Sequence, residues 1–321
     1  MAKIAYIGNF EPEYSTENDV RKAIEALGHT CIPLQENKTP LDAVRTVAMD
    51  SDILLHTGTW GDAFDLADYL TLIHDLAQAK IPSATLHLDT FWVTSRGGRK
   101  WWLEPMFHTS VLFTADGDWQ KQWELMGKQH VWLLPAVRHD GAHFGKPRPE
   151  YNHDVSFVGS NGEGYHEDVW SYRKELLDNL RQICSKNGWS FRNPGGDEPK
   201  IDRSDDMNDF YASGKVTVGD SLCIKKEEAL YWSDRVPEAT GRGAYLIMPR
   251  IKKLQTLYPD MAFYDWGDWE NLEYVIKLSM ENDTAEVTKQ MQNETAQFHT
   301  YKNRVKTILN YFDIGVKDDN K

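Results

Sequence analysis

The sequence predicts an α/β fold made of two halves, each a parallel sheet covered by helices. Short apolar runs alternate with segments of helical spacing from the beginning of the chain, as in Lys3–Gly8 followed by 17–27. A polar stretch with two prolines, 146–152, interrupts this alternation, which then resumes. Such alternation is typical of parallel sheets wrapped on both faces, so we expect two α/β units joined by a short linker.

The elements of the first half follow from the spacing of apolar residues and from chain-breaking glycines. Val20, Ile24 and Leu27 recur at helical intervals, and Gly28 is a typical helix terminator. Leu66, Leu70, Ile73 and Leu76 form one face of a second helix in the same way. The predicted strands are 3–8, 30–34, 52–56, 83–88, 111–114 and 131–134, and the predicted helices are 17–27, 41–49 and 63–79.

The second half repeats the pattern. We predict strands at 155–158, 189–192, 215–219 and 244–248, and helices at 170–186, 207–213 and 237–240. From 272 to 312 the chain has helical spacing throughout, with polar and charged residues on the outer faces. The predicted domains are 1–146 and 153–296, followed by a terminal helical segment, 297–321.

Composition restricts the class of protein. The chain has 321 residues, enough for two domains, and 40% of them are hydrophobic. Its three cysteines, Cys31, Cys184 and Cys223, lack metal-binding spacing and indicate reduced thiols of a cytoplasmic protein. No apolar run reaches the roughly 18 residues of a membrane helix. The net charge of −13 argues against a generally basic nucleic-acid-binding surface, although a local basic patch is compatible with it.

The most informative segment is 234–249, Asp-Arg-Val-Pro-Glu-Ala-Thr-Gly-Arg-Gly followed by an apolar run. Arg235 carries a planar fork of donors that suits a diphosphate, and Glu238 could accept hydrogen bonds from ribose hydroxyls. Gly241 and Gly243, on either side of Arg242, would let the backbone approach a ligand closely. A helix that ends at Gly241 and leads into a buried strand explains the same residues equally well.

Two further strand ends of the second half carry polar or glycine-rich loops. Gly159 and Ser160 follow a predicted strand in Val-Ser-Phe-Val-Gly-Ser-Asn-Gly-Glu-Gly, where backbone donors could hold a phosphate. Asp220 and Ser221 follow the next strand but one along the chain. Ligands of open α/β sheets bind beyond the carboxyl ends of the strands, so these four residues are candidate groups for binding a nucleotide diphosphate.

The first half offers candidate catalytic groups at its own strand ends. Asp89 follows a predicted strand, and His87 lies two positions before it, which would place both on one face. Glu17 lies at the beginning of the first helix, after a long loop in which Ser15 or Thr16 could cap that helix. An exposed turn aspartate and simple helix capping are the structural alternatives.

A basic and aromatic cluster, 92–102, is a candidate surface for binding a second, phosphate-bearing substrate. Arg96, Arg99 and Lys100 could neutralise phosphates, and Trp92 could stack on a base or a sugar. A solvated loop whose tryptophans pack into the domain is the alternative.

Together these segments resemble the GT-B glycosyltransferases, specifically the CgeB-like branch of the family-4-type clan found in bacteria and phages. The resemblance extends over nearly the whole chain. Its matching pieces are Tyr-Ile-Gly at 6–8, Ser-Thr-Glu at 15–17, Leu-His-Leu-Asp at 86–89, Asp-Val-Ser-Phe-Val-Gly-Ser at 154–160, Val-Thr-Val-Gly-Asp-Ser at 216–221, Ser-Asp-Arg-Val-Pro-Glu at 233–238, Gly-Arg-Gly at 241–243 and His-Thr-Tyr-Lys-Asn-Arg-Val at 299–305.

The resemblance implies two Rossmann-like domains facing a cleft, with a nucleotide sugar on the second, the acceptor on the first, and a final helix that crosses back to the first domain. It implies that Glu238 binds the donor ribose, that Arg235 and the Gly159–Ser160 turn hold the diphosphate, and that the backbone at 241–243 closes around it. No metal and no cofactor besides a UDP- or GDP-sugar are expected, since cationic side chains and helix dipoles can stabilise a leaving diphosphate.

The resemblance leaves the substrates open. The clan often carries a glutamate eight positions before its ribose-binding one, where this chain has Leu230, so the sugar is not specified. The acceptor is a hydroxylated base in phage DNA, a small molecule, a polysaccharide or a protein, and the compartment is the cytoplasm of a bacterium or of a phage host. A non-catalytic interaction protein that kept the fold and a nucleotide-sugar epimerase are the alternative functions.

Overall fold

The computed structural model of the protein describes residues 1–59, 63–90, 101–162, 167–223 and 225–315. These residues form two compact units. The first contains the described residues from Met1 to Leu134 and those from Tyr301 onward, and the second contains Pro135–Thr300. Each unit has one parallel sheet with helices, so the predicted α/β fold is confirmed.

The first unit is built on a six-stranded parallel sheet in the order β2-β1-β3-β4-β5-β6. Its strands are short and largely buried, as their apolar sequences predict. Ser15 caps the first helix by accepting a hydrogen bond from the Asn18 N–H at 3.2 Å. The elements are β1 (Lys3–Gly8), α1 (Thr16–Ala26), β2 (Thr30–Gln35), α2 (Leu41–Met49), β3 (Ile53–His56), α3 (Leu66–Gln78), β4 (Ser83–His87), β5 (Val111–Thr114), α4 (Gln120–Leu125) and β6 (Gln129–Trp132).

The second unit is built on a five-stranded parallel sheet in the order β11-β10-β9-β7-β8. The strands β7 and β9 are hydrogen-bonded neighbours, so the loops that follow them emerge side by side at the carboxyl edge. The elements are β7 (His153–Ser156), α5 (Glu167–Asn187), β8 (Phe191–Arg192), α6 (Asp205–Ala212), β9 (Gly214–Val218), α7 (Arg235–Gly241), β10 (Leu246–Pro249), α8 (Lys252–Leu257), β11 (Ala262–Tyr264), α9 (Trp269–Glu281) and α10 (Ala285–Phe298).

The C-terminal region is three helices rather than the single run predicted for 272–312. The helix α9 ends before Asn282, and the Asp283 side chain accepts from the Ala285 N–H at 3.0 Å where α10 begins. A second break follows α10, where Thr300 forms a bridge with Val137. The last helix, α11 (Tyr301–Tyr311), belongs to the first unit and packs against α1, which confirms the returning final helix of the predicted fold.

The segment predicted as a linker, 146–152, is part of the second unit, which begins earlier, at Pro135. Its backbone is fixed by α6 and the residue that follows it: the Lys146 N–H donates to Asp209 Oδ1 at 2.6 Å and the Arg148 N–H to Ser213 Oγ at 2.8 Å. A Cβ on Gly145 would come within 2.1 Å of the Asn208 backbone. The two prolines therefore do not mark the boundary between the units, because they lie in a segment whose backbone is hydrogen-bonded within the second unit.

No helix in the described part of the chain is long and apolar enough to cross a membrane.

Candidate functional site

A buried aspartate holds two arginines at the carboxyl edge of the second sheet. Asp220 lies two residues beyond β9, Arg173 on α5, and Arg235 at the first position of α7. Asp220 Oδ2 accepts from Arg173 Nε at 2.6 Å, and Oδ1 accepts from Arg173 Nη2 at 3.0 Å and from Arg235 Nη1 at 2.5 Å. One carboxylate thus fixes two guanidinium groups through charge-assisted hydrogen bonds.

The same arginines line the turn at Gly159. Arg235 Nε donates to the Val158 carbonyl at 2.9 Å, and its guanidinium lies 4.7 Å from the Phe157 ring centroid. Gly159 has a φ of 142°, and a Cβ there would come within 2.6 Å of Arg235 Nη2, so only glycine fits. Arg173 Nη1 donates to Ser160 Oγ at 3.4 Å. The turn and both guanidinium groups therefore form one continuous structure.

The charge of this cluster favours an anionic ligand. Burial disfavours the ionised form of Asp220, but attraction to Arg173 and Arg235 outweighs it and lowers the carboxyl pKa below its usual value. With Asp220 ionised, the three side chains carry a net charge of about +1. Ser160, beside them, is exposed. A fixed pair of guanidinium groups next to a partly exposed glycine turn is suited to a diphosphate.

Glu238 lies one helical turn beyond Arg235, and only one of its two carboxylate oxygens is hydrogen-bonded within the described residues. Its Oε2 accepts from Arg242 Nε at 3.0 Å, whereas its buried Oε1 accepts no hydrogen bond from the described residues. Burial opposes ionisation, but attraction to Arg242 and Arg203 lowers the pKa of the Glu238 carboxyl below its usual value. An ionised carboxylate with a free oxygen suits the hydroxyls of a ribose.

Four of the residues predicted to bind the nucleotide diphosphate have structural contacts within the unit, and their role in binding stays a prediction. Asp220 orients the arginines, since an ionised carboxylate would repel a diphosphate. Arg242 is fully buried within the unit. A Cβ on Gly241 would meet Val137 Cγ1 at 2.8 Å, and Gly243, with a φ of 84°, leaves no room for a Cβ beside the Phe144 ring. These glycines serve packing and the turn after α7.

Ser221, the remaining predicted donor-binding residue, is buried, and its Oγ accepts from Cys223 Sγ at 3.3 Å.

Arg173 was not found from the sequence. Its partner Asp220 lies 47 residues away in the chain, so the pairing has no local signature. One sequence feature could have identified it: Arg173 lies on the apolar face of α5, beside Tyr172, Leu176 and Leu180. A charged side chain on such a face requires a partner of opposite charge.

In the first unit two carboxylates, Glu17 and Glu36, contact the same residue, Thr59, and only Glu17 was predicted as a site residue. Glu17 is buried, and its Oε1 lies 3.3 Å from Thr59 Oγ1, which donates to it. Glu36 Oε2 accepts from the Thr59 N–H at 2.8 Å, and Glu36 Oε1 lies 3.4 Å from His56 Nε2. Burial, with a smaller contribution from the Glu36 carboxylate, raises the pKa of Glu17 above its usual value. Neither Glu36 nor His56 was predicted from the sequence. Glu36 directly follows β2 and His56 is the last residue of β3, and neither belongs to a recognisable motif.

The other predicted catalytic residues lie at the end of β4. His87 is its last residue and is buried against the Phe107 ring, with centroids 5.7 Å apart. Asp89 lies beyond the strand and is exposed. The predicted acceptor-binding residues Trp92, Arg96, Arg99 and Lys100 lie outside the described residues.

Among the residues that the structure describes, no group of three or more histidines, cysteines or carboxylates is placed to hold a metal ion. The expected independence of metal stays a prediction.

Residues 164–310 match the family model described as "Glycosyl transferase-like". An α-glucosyltransferase, solved in complex with UDP and a 13-mer DNA containing an HMU base, matches with a TM-score of 0.61 at 10% identity, over 97% of this chain and 99% of its own. The chain has the GT-B glycosyltransferase fold. HepE of Anabaena, solved with UDP and glucose, has the same fold with a TM-score of 0.60 at 11% identity, over 97% of this chain and all of its own.

The GT-B fold is also shared with a Listeria monocytogenes protein assigned as a UDP-N-acetylglucosamine 2-epimerase. Its TM-score is 0.52 at 11% identity, over 99% of each chain. The sequence has no significant match among curated proteins. Similarity at this level of identity establishes the GT-B fold, and the function has to be argued from the site.

Proposed function

We propose that the protein is a glycosyltransferase that moves a sugar from a UDP- or GDP-sugar to a hydroxyl group of an acceptor. The observation that carries the proposal is the pair of guanidinium groups that Asp220 fixes at the Gly159 turn. One of the two, Arg235, lies one helical turn before Glu238, whose Oε1 accepts no hydrogen bond from the described residues. The glycosyl transferase-like match and the UDP complexes of two GT-B structures support it.

In the proposed mechanism Arg173 and Arg235 bind the diphosphate. Both are held in place before the donor arrives, so little reorganisation is needed as charge develops on the leaving diphosphate. Glu238 accepts hydrogen bonds from the ribose. The cations make a metal ion unnecessary for this step, and no cofactor beyond the nucleotide sugar is involved.

The first unit supplies the groups that act on the acceptor. Asp89, exposed just after β4, is our candidate for positioning or deprotonating the acceptor hydroxyl, and His87 is a weaker choice because it is packed against Phe107. Glu17 is the proposed partner of Asp89 in the first unit, where burial and the neighbouring Glu36 raise the pKa of the Glu17 carboxyl and make it a stronger base. The three cysteines are scattered along the sequence and lack metal-binding spacing, which supports a reducing compartment, and we propose the cytoplasm.

Glu238→Ala is expected to weaken UDP or GDP binding about tenfold to a hundredfold, since hydrogen bonds to a charged group contribute about 1.5–3 kcal/mol. Isothermal titration calorimetry with both nucleotides and their glucose conjugates measures this change. Glu228→Ala, in the same unit with an exposed carboxylate, is the control and should bind as the wild type does. Equal affinity of wild type and Glu238→Ala for every donor would exclude the assignment.

The proposed acceptor is a hydroxylated base in DNA, with a small molecule, a polysaccharide or a protein as alternatives. The cluster of Arg96, Arg99 and Lys100 beside Trp92 motivates this choice, and one GT-B structure contains DNA with an HMU base. Charge reversal at the three basic positions should weaken DNA binding and its dependence on salt, measured by fluorescence anisotropy at two salt concentrations. Unchanged binding would remove the cluster from the acceptor site.

An epimerase is the second candidate, favoured only by the shared GT-B fold. The two functions differ in product: an epimerase changes the sugar, whereas a transferase releases the nucleoside diphosphate and adds the sugar to an acceptor.

A further inference from the structure

Arg242 is an arginine with no exposed surface, located directly after α7. Burial of a guanidinium group is costly unless its donors are paired. Its Nε donates to Glu238 Oε2 at 3.0 Å, and its Nη1 donates to Asn208 Oδ1 at 2.5 Å. The backbone carbonyls of Ser204 and Arg203 accept from Nη1 and Nη2 at 3.4 and 3.3 Å. Arg242 therefore connects Glu238 to the beginning of α6.

The partners of Arg242 are themselves fixed. Asn208 donates through Nδ2 to the Gly141 carbonyl at 3.0 Å and to the His143 carbonyl at 2.7 Å. A Cβ on Gly141 would lie 3.0 Å from both terminal nitrogens of Arg242, so the guanidinium group is packed against that backbone. These contacts leave the guanidinium plane little freedom to turn.

The restricted guanidinium group of Arg242 determines the orientation of the Glu238 carboxylate. Arg242 follows Glu238 by four residues, the spacing that brings side chains together on one helical face. It occupies Oε2 only, while Oε1 stays buried without a hydrogen bond from the described residues. A buried carboxylate oxygen that is held in place but unpaired discriminates strongly between a ligand that can donate to it and one that cannot.

We propose that Arg242 is a positioning residue that fixes Glu238 for the ribose hydroxyls and thereby gives the donor site its preference for ribonucleotides over 2′-deoxyribonucleotides. The inference rests on the proposed function, and it assigns Arg242 no contact with the donor. The guanidinium fork is needed for this role, because a lysine could satisfy only part of the four-acceptor arrangement.

The test is the ratio of dissociation constants for 2′-deoxy-UDP and UDP, and for the corresponding guanosine pair, measured by calorimetry on Arg242→Lys. The wild type should prefer the ribonucleotide about tenfold or more, and Glu238→Ala should abolish that preference. In Arg242→Lys the preference should fall severalfold through weaker ribonucleotide binding, while affinity for the deoxyribonucleotide stays near that of the wild type. A purely structural role would instead weaken both nucleotides equally and leave the ratio unchanged, which would overturn the proposal.

A second variant covers the case in which Arg242→Lys does not fold. Asn208→Ala removes one acceptor of Arg242 and should lower the ratio to a smaller extent, with folding checked by thermal unfolding. An unchanged ratio in this variant would overturn the proposal as well. Absence of UDP and GDP binding by the wild type would refute the proposed function itself, whereas normal binding with an unchanged ratio would refute only the role of Arg242.

Discussion

Asp220→Ala is expected to destabilise the second unit by about 3–5 kcal/mol, because it leaves two buried arginines without their shared counter-charge. Arg173 is 6% exposed and Arg235 is 11% exposed at the side chain, so water replaces the carboxylate poorly. Urea unfolding followed by tryptophan fluorescence measures the loss. The control is Asp178→Ala in the same unit, whose exposed pair with Arg181 should contribute no more than about 1 kcal/mol.

The contribution of the Asp220 carboxylate to the stability of the second unit is expected to decrease at low pH. Its pKa is lower in the folded protein than the roughly 3.9 of an unfolded aspartate. The stability that it contributes should be fully present above about pH 5 and should be lost as the pH falls through the folded pKa. Asp220→Ala should lack this part of the acid transition. A loss of less than about 1 kcal/mol at neutral pH would show that the carboxylate does not hold the arginines.

Arg235→Ala should have the largest effect on activity, a decrease in kcat/KM of about a hundredfold or more. The variant loses one of the two cations of the site and the hydrogen bond from Nε to the Val158 carbonyl. It also leaves a space beside Gly159, where Nη2 lies 2.6 Å from the position that a Cβ would take. Steady-state kinetics with the preferred nucleotide sugar measures the change. Arg173→Ala should act in the same direction, because Arg173 shares Asp220 and reaches Ser160.

The matched control for Arg235→Ala is Arg181→Ala. It removes the same charge from the same unit, at a partly exposed site where Arg181 pairs with Asp178 and Asp197. Its kcat/KM should stay within about twofold of the wild type, in keeping with the small energies of exposed pairs. If Arg235→Ala retained similar activity, the diphosphate would have to bind elsewhere.

The sequence predicted the fold well because apolar runs and glycine stops are local signals. The strands 3–8 and 111–114 were predicted with the bounds that the structure has. Features that depend on distant contacts were missed. The bridge between Val137 and Thr300 follows the end of the helical run near 299. The expected linker is part of the second unit because Lys146 and Arg148 are hydrogen-bonded to Asp209 of α6 and to Ser213.

Some of the candidate site residues were predicted to lie together from the sequence, but the side-chain contacts that fix them were not. The rule that ligands bind at carboxyl strand ends selected the Gly159 turn and Asp220, which the structure brings together. It could not show that Asp220 faces two arginines or that Arg242 is fully buried, since both depend on side-chain partners 47 and 34 residues away in the chain. Arg173 is therefore the main addition that the structure makes to the site.

The most direct test of the proposed sugar transfer compares the nucleoside diphosphate released with the sugar added to an acceptor in the same reaction. Wild type and Arg235→Ala are incubated with UDP- and GDP-sugars and a panel of acceptors that includes DNA with hydroxylated bases, and products are followed by mass spectrometry. We predict that the wild type releases one nucleoside diphosphate for each sugar added to an acceptor, and that Arg235→Ala does so far more slowly. Conversion of the nucleotide sugar to its epimer without release of nucleotide, or no turnover with any donor, would contradict the account.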